Sequence, residues 1–168
     1  MAVTATIDAG KAVRKSYALF YDGADAPELI GKGIEELSIE QGADVSKVND
    51  VTGFTDVSLN SYEKTTALEP IYVTGGNKFS EFLDDAEEYE LTGDDLVKPF
   101  IHVKSYKKTA DGKYRAWRQN AVVEITSFGG DTSGVQCPAT LHWMGEREHG
   151  TFDPKTKTFT ADTDAVSE

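Results

Sequence analysis

The segment IEELSIEQGADVSKVNDVTGFTDVSLNSY, residues 34–62, decides the fold class of this chain. Leu37 and Ile39 alternate with polar residues near its start, and Val57 and Leu59 repeat that pattern near its end. A period of two is typical of a half-buried strand with one apolar and one solvated face. The segment therefore predicts two strands joined by a polar arm over 41–53.

The predicted arm is longer than a hairpin turn requires, because most hairpin loops have about two to five residues. Ordering a long arm costs conformational entropy unless something outside the fold holds it. We therefore expect the arm to contact another copy of the chain or a partner, with a mobile surface loop as the alternative. The arm residues expected to make this contact are Asp44, Val45, Ser46, Lys47, Val48, Asn49 and Asp50.

The composition is that of a soluble globular protein with 168 residues, enough for one domain with a real core, over 1–168. Its net charge of −12 repels nucleic acid as a tightly bound partner, although nucleic acid could still pass without sticking. A single cysteine, Cys137, excludes an internal disulfide and fits a reducing cytoplasm. No stretch approaches the roughly 20 apolar residues of a membrane helix, so we expect no membrane contact and no signal peptide.

Most of the remaining chain predicts strands separated by glycine-rich turns. The two ends, 1–15 and 161–168, are polar and predict flexible segments. The predicted strands cover 16–21, 67–74, 100–108, 114–128 and 135–143, followed by a closing hairpin over 150–160. Together they predict a mainly β fold, an antiparallel sandwich or barrel of two packed sheets with one flanking helix.

One helix is predicted, over Lys78–Glu88. Gly75 and Gly76 end the preceding strand, and Asn77 is suited to cap the helix. The apolar residues recur at helical spacing and form one stripe, which consists of Phe79, Phe82, Leu83 and Ala86.

No sequence pattern indicates an enzyme, a metal site or a cofactor. The chain has no phosphate-binding loop, dinucleotide fingerprint, paired-cysteine motif, metalloprotease motif or nucleophile elbow. His102, His142 and His149 lack metal-ligand spacing to one another or to other ligands. Cys137 lies on the apolar face of a predicted strand, so we expect it to pack rather than react.

Opposite charges are concentrated on different elements. A cationic hairpin and an acidic helix suggest a head-to-tail contact between copies, which closes into a ring if the rotation permits. Pairing of the same charges within one subunit is the alternative. The candidate residues are Lys107, Lys108, Lys113 and Arg115 on the hairpin, and Glu81, Asp84, Asp85 and Glu88 on the helix.

The order of these features resembles the major tail tube proteins of tailed bacteriophages. The similarity covers residues from about Lys15 to Ala161. It rests on ELSIEQGADVSKVNDVTGFTDVSLNSYEKT, on GGNKFSEFLDDAEE after the strand EPIYVT, on AVVEITSFGGDTSG leading into VQCPATLHWMG, and on the closing GTFDPKTKTFT.

The resemblance implies two packed antiparallel sheets flanked by a helix, and six-membered rings that stack into a hollow tube through which DNA travels. It also implies a place in the virion tail, assembly from subunits made in the host cytoplasm, and contacts with tape-measure, tail-tip and terminator proteins. The family's long arm commonly contacts the next ring, a role that falls here on 41–53. An acidic wet face would then line the lumen and repel DNA phosphates; its candidates are Glu36, Ser38, Glu40, Asp56, Ser58 and Asn60.

Three other functions compete with this one. A tube subunit of a contractile injection or secretion device shares the general fold by resemblance. A monomeric β-sandwich binding module, for carbohydrate, would use Trp117 as its exposed aromatic residue, because Trp143 shares a face with apolar residues. An enzyme ranks last, because no catalytic constellation supports one.

Overall fold

The computed structural model describes residues 4–162, where the chain forms twelve strands and one α-helix. The predicted mainly β, antiparallel fold with one flanking helix is confirmed. The predicted C-terminal tail, 161–168, lies outside the described residues from 163 onward. The elements are β1 (Ala5–Ile7), β2 (Tyr17–Tyr21), β3 (Glu28–Ile30), β4 (Ala43–Asn49), β5 (Thr55–Tyr62), β6 (Thr65–Leu68), α1 (Lys78–Glu88), β7 (Val97–Thr109), β8 (Tyr114–Ile125), β9 (Gly129–Asp131), β10 (Gly134–Gln136), β11 (Ala139–Asp153) and β12 (Thr158–Ala161).

Eight strands form one sheet that curls into a half barrel. Its order is β12-β11-β8-β7-β2-β3, with β1 added along β7 and β6 added along β11. The long strands β7, β8 and β11 are neighbours at its centre and are all antiparallel. Two smaller ribbons, β9–β10 and β4–β5, stand outside this sheet.

The sheet buries apolar side chains on both faces. On one face Leu19, Phe100 and Leu141 pack with α1 in the main core. On the other face Ile101 belongs to a smaller cluster that the curl of the sheet encloses. There the rings of Phe20 on β2 and Phe152 on β11 lie 4.9 Å apart and join strands that are not neighbours in the sheet.

Helix α1 has the predicted bounds and the predicted cap. The Oδ1 atom of Asn77 accepts a hydrogen bond from the Ser80 amide at 3.1 Å. A carboxylate oxygen of Glu28 also accepts from the Lys78 amide at 2.8 Å, which satisfies another free N–H of the first turn. Phe79 and Leu83 are buried, so the helix covers the sheet with its apolar stripe.

The structure corrects the prediction for the segment 34–62. Residues 34–40 form no regular strand, although Leu37 is buried while Glu36, Ser38 and Glu40 are exposed as the alternation predicted. The predicted arm is itself a strand, β4, which pairs with β5 from Ala43↔Tyr62 to Asn49↔Thr55. The turn is therefore confined to 50–54, and the arm is a long β-hairpin.

Two further predictions are corrected. The N-terminal segment 1–15 was expected to be flexible, yet Ala5–Ile7 forms an edge strand along β7. The predicted strand 135–143 is interrupted between β10 and β11 at Cys137 and Pro138. Proline has no amide hydrogen for the ladder, and the Cys137 amide donates instead to the Ile71 carbonyl at 2.9 Å.

Candidate assembly surfaces

The β4–β5 hairpin leaves the body of the protein as a free two-stranded ribbon. All of β5 and nearly all of β4 are exposed, and no residue of 43–62 belongs to the buried core. Its base is closed by the Glu63 amide, which donates to the Gly42 carbonyl at 3.0 Å. An isolated two-stranded ribbon is at best marginally stable in water. A second surface packed against this ribbon would therefore stabilise it.

One face of the hairpin carries uncovered apolar side chains beside Lys47, Asn49 and Thr55, and we call it the apolar face. Val45 pairs with Leu59, and Val57 lies two positions further along the same face. These three side chains are 45%, 49% and 55% exposed, respectively. The expectation that Val57 and Leu59 belong to half-buried strands is therefore wrong, because the ribbon projects away from any layer that could cover them.

Exposed apolar groups are concentrated on this hairpin. It carries half of the large hydrophobic side chains that are exposed among residues 4–162, including Val51 and Phe54 at the turn. Exposed apolar groups that are concentrated on one element mark an interaction site more often than scattered single residues do. The hairpin is therefore the strongest candidate for a contact surface.

The other face of the hairpin carries Val48 but is otherwise polar, and its polar side chains bond to one another. The Nδ2 atom of Asn60, at a bulge in β5, donates to Ser46 Oγ at 2.5 Å and to Asp44 Oδ2 at 3.2 Å. Ser58 and Asp56 lie on this same face. Three of the predicted lumen residues, Asp56, Ser58 and Asn60, are thus brought together.

Asp50 shapes the turn of the hairpin. Its Oδ1 atom accepts hydrogen bonds from the Thr52 amide at 2.8 Å and from the Phe54 amide at 3.1 Å. The bond from the Thr52 hydroxyl, together with these amides, lowers the pKa of the Asp50 carboxyl. Gly53 adopts a φ of 87°, which glycine accepts without strain, so the turn is ordered by its own sequence.

The other three predicted lumen residues lie apart from the hairpin. Glu36, Ser38 and Glu40 line a shallow depression that also includes Ala67 and Glu69. Glu40 connects this depression to β6 through a bridge with Thr65. The depression presents acidic and polar side chains, and its place in a lumen stays a prediction.

The cations predicted to contact a neighbouring subunit are mostly paired within the chain. Arg115 forms a largely buried ion pair with Asp162, with Nη2 and Oδ2 2.7 Å apart. Lys108 pairs with Asp8 at 2.9 Å, and Lys113 lies 3.8 Å from Asp111. The inter-subunit prediction is corrected for Arg115, because its charge is already compensated inside the fold.

Lys107 and the acids of α1 remain as candidates. Lys107 forms no ion pair with the residues that the structure describes, whereas Glu81 binds Lys78 at 3.0 Å. Carboxylate oxygens of Asp84, Asp85 and Glu88 lie within 4.8 Å of one another. Exposed acids in such clusters are common without an ion, and by themselves they indicate no metal.

A buried aromatic cluster surrounds His102. The imidazole stacks on Trp117 at a centroid distance of 4.6 Å and contacts Trp143 at 4.4 Å. Its Nδ1 atom is hydrogen bonded to the Tyr17 hydroxyl at 2.5 Å. Burial, followed by the charges of Arg147 and Lys104, lowers the pKa of His102 to about 3, so the ring is neutral at physiological pH.

This cluster corrects the prediction for Trp117. Only 5% of Trp117 is exposed, because β8 places it directly opposite His102 on the buried face of the sheet. Trp143 is half-buried, and its Nε1 atom donates to Thr66 Oγ1 at 2.8 Å. The carbohydrate-binding alternative therefore loses the exposed aromatic residue that it required.

Cys137 and His142 lie in opposite environments. Cys137 is fully buried, and burial raises the pKa of its thiol to about 11. His142 is exposed, and its Nε2 atom lies 2.6 Å from Glu124 Oε2 across the β8–β11 pair. Within residues 4–162, no helix has the length and apolar character needed to cross a membrane.

Comparison of the sequence with protein-family models and with curated proteins gives no match.

Proposed function

We propose that this chain is the structural subunit of a hollow tube of the phage tail type. Copies associate into rings of six, and the rings stack into a tube through which DNA passes to the host. The subunit works in the virion tail, where the tape-measure, tail-tip and terminator proteins contact it. The chain carries no catalytic task in this role; its function is the geometry of its self-association.

The exposed β4–β5 hairpin is the observation that carries the proposal. It has an uncovered apolar face and contributes nothing to the core of its own subunit. Burial of apolar surface drives association at about 25 cal/mol per Å² removed from water, before the costs of ordering are subtracted. A repeating contact with the next ring would cover the same hairpin on every copy.

Acidic surfaces support passage of DNA rather than capture. The depression lined by Glu36, Glu40 and Glu69 and the hairpin face with Asp56 carry carboxylates. A wall of this charge repels phosphates at short range, and the net charge of −12 acts in the same direction. DNA inside such a tube slides without specific binding.

The proposal is tested by replacing the hairpin. Because Gly42 and Glu63 are already hydrogen bonded at its base, residues 43–62 can be replaced by an Asn-Gly turn without moving the rest of the fold. We expect the wild-type chain at high concentration to form rings or tubes in negative-stain electron microscopy. The replacement variant should remain a β-rich monomer by sedimentation and circular dichroism.

A matched control shortens a different ribbon. The β9–β10 hairpin is also separate from the main sheet, and replacing 130–134 with a short turn should leave assembly intact. A wild-type chain that stays monomeric at every concentration and salt level contradicts the proposal. Normal tubes from the variant without the hairpin would remove the stacking role from it.

A further inference from the structure

Four cations gather where the β4–β5 hairpin joins the body, a group we call the basal cation cluster: Lys64, Lys104, Lys107 and Arg147. Lys104 Nζ lies 4.9 Å from the centroid of the Trp117 ring, and Arg147 Cζ lies 4.4 Å from the same centroid. Lys64 follows the end of β5, and its carbonyl accepts from the Trp143 amide at 3.1 Å. The cluster thus lies beside the base of the projecting hairpin.

The charges of the basal cation cluster repel one another and are not compensated. The pKa of Lys104 is lowered by burial and then by the charges of Lys107 and Arg147. Burial and Arg147 likewise lower the pKa of Lys64. Among residues 4–162 no carboxylate lies within 4.0 Å of these four cations, although five other cations of this acidic chain have such a partner.

Polar atoms beside the cluster are buried without partners. Within the described chain these are Arg147 Nε, Trp117 Nε1 and His102 Nε2. Arg147 Nε and Trp117 Nε1 are obligatory donors, and an unsatisfied buried donor is costly. These enclosed atoms are out of reach of a second subunit, but an anionic group arriving from outside would neutralise the exposed charges of the cluster.

We propose that the basal cation cluster binds the exposed acidic face of α1 from a second copy of the chain. That face carries Asp84, Asp85 and Glu88, whose carboxylates lie close together and form no ion pair within residues 4–162. The two surfaces are complementary in charge and do not pair with each other inside one subunit. The contact is heterologous, which is the type that generates rings. This inference rests on the proposed function and names the interface that closes the ring.

The test exchanges the charges of the two surfaces. One variant carries Lys104→Glu and Lys107→Glu, and a second carries Asp84→Lys and Asp85→Lys. We expect each to weaken self-association at least tenfold in sedimentation velocity, and the combined variant to recover most of that loss. The control variant carries Lys108→Glu and Lys113→Glu, which change cations that already have partners in the chain. Its self-association should be closer in strength to that of the wild type than that of either charge-reversed variant.

Folding is monitored separately, because Lys104 packs on Trp117. If the reversal disturbs near-ultraviolet circular dichroism, Lys104→Met with Lys107→Met keeps the aliphatic stems and removes the charges. A chain ending at residue 162 tests whether the remaining C-terminal residues occupy the cluster instead; association of that chain that no longer responds to the charge reversal would overturn the proposal. So would binding of a labelled DNA duplex that the charge reversal abolishes.

The outcomes separate this inference from the proposed function. Tubes that form equally well with reversed charges overturn the interface and leave the tube function standing. Charge-dependent association that yields small oligomers but never tubes supports the interface and contradicts the tube. If the combined variant associates no more strongly than the weaker of the two charge-reversed variants, the pairing of the basal cation cluster with α1 is overturned.

Discussion

The indole of Trp117 stacks on the imidazole of His102, with ring centroids 4.6 Å apart and 12° between the ring planes. The imidazole is fully buried and accessible to no solvent. Protonation would place a charge in a site closed to bulk solvent, beside the charges of Arg147 and Lys104. The pKa of His102 is about 3 for that reason, and the fold tolerates only the neutral ring.

This buried histidine makes stability depend on pH. In the unfolded chain a histidine has a pKa near 6.5, so between pH 6.5 and about 3 the unfolded state binds the proton and the folded state does not. The free energy of unfolding should therefore fall as pH drops below 6.5, by about 2 kcal/mol at pH 5. Urea unfolding at pH 7, 6 and 5 measures this slope.

The control for that measurement is His102→Asn, which keeps a polar group near Tyr17 and cannot titrate. Its stability should be lower at pH 7 but should change less between pH 7 and 5 than that of the wild type. Equal slopes for the two proteins would show that other groups cause the pH dependence and that His102 does not titrate as the structure indicates.

The apolar face of the β4–β5 hairpin should matter for assembly and not for folding. Replacing Val57 and Leu59 by serine removes apolar groups that are 55% and 49% exposed, so the free energy of unfolding should change by no more than about 0.5 kcal/mol. Assembly, followed by light scattering and electron microscopy, should fail or need much higher concentration. Val135→Ser, at a site with similar exposure on β10, should assemble normally; equal loss in both would point to a general solubility effect.

Local signals in the sequence were sufficient for α1 but not for the hairpin. The cap at Asn77 and the apolar stripe of α1 are encoded within a few residues of each other, so the helix was predicted with its observed bounds. The alternation at Val57 and Leu59 is equally clear, but it predicts only that these side chains share one face of a strand. Whether a face is covered depends on the position of the ribbon relative to the sheet, which is a tertiary property.

The environment of Trp117 shows a second limit. Strands over 100–108 and 114–128 are predicted from the sequence, and β7 and β8 do pair with each other around the turn between them. The register shifts between Lys104 and Lys108, however, where β7 bulges. This bulge sets the register that places Trp117 opposite His102, and no local sequence pattern predicts the bulge. The sequence also does not predict that Lys104 and Arg147 are neighbours, because Arg147 lies in a second region of irregular strand pairing, on β11.

The ion pair of Arg115 with Asp162 should stabilise the fold of each subunit. Its two side chains are 16% and 7% exposed, so removing one charge leaves the other buried without a partner. Arg115→Gln should lower the free energy of unfolding by on the order of 3 kcal/mol, measured by urea unfolding. Lys113→Gln removes an exposed charge of the same hairpin and should have little effect; if the two variants lose stability equally, the buried pair has no special role.

Cys137 should report on opening of the main core. Its thiol is fully buried, its Sγ atom lies 3.7 Å from the Leu83 carbonyl of α1, and its pKa is raised to about 11. Because the thiolate is the reactive form, the native protein at pH 8 should react with a disulfide reagent far more slowly than the protein unfolded in urea. Leu83→Ala, which opens a cavity beside the thiol and should cost about 3 kcal/mol, should accelerate the reaction. A native chain that is labelled as fast as the unfolded one would mean that α1 does not remain packed on the sheet.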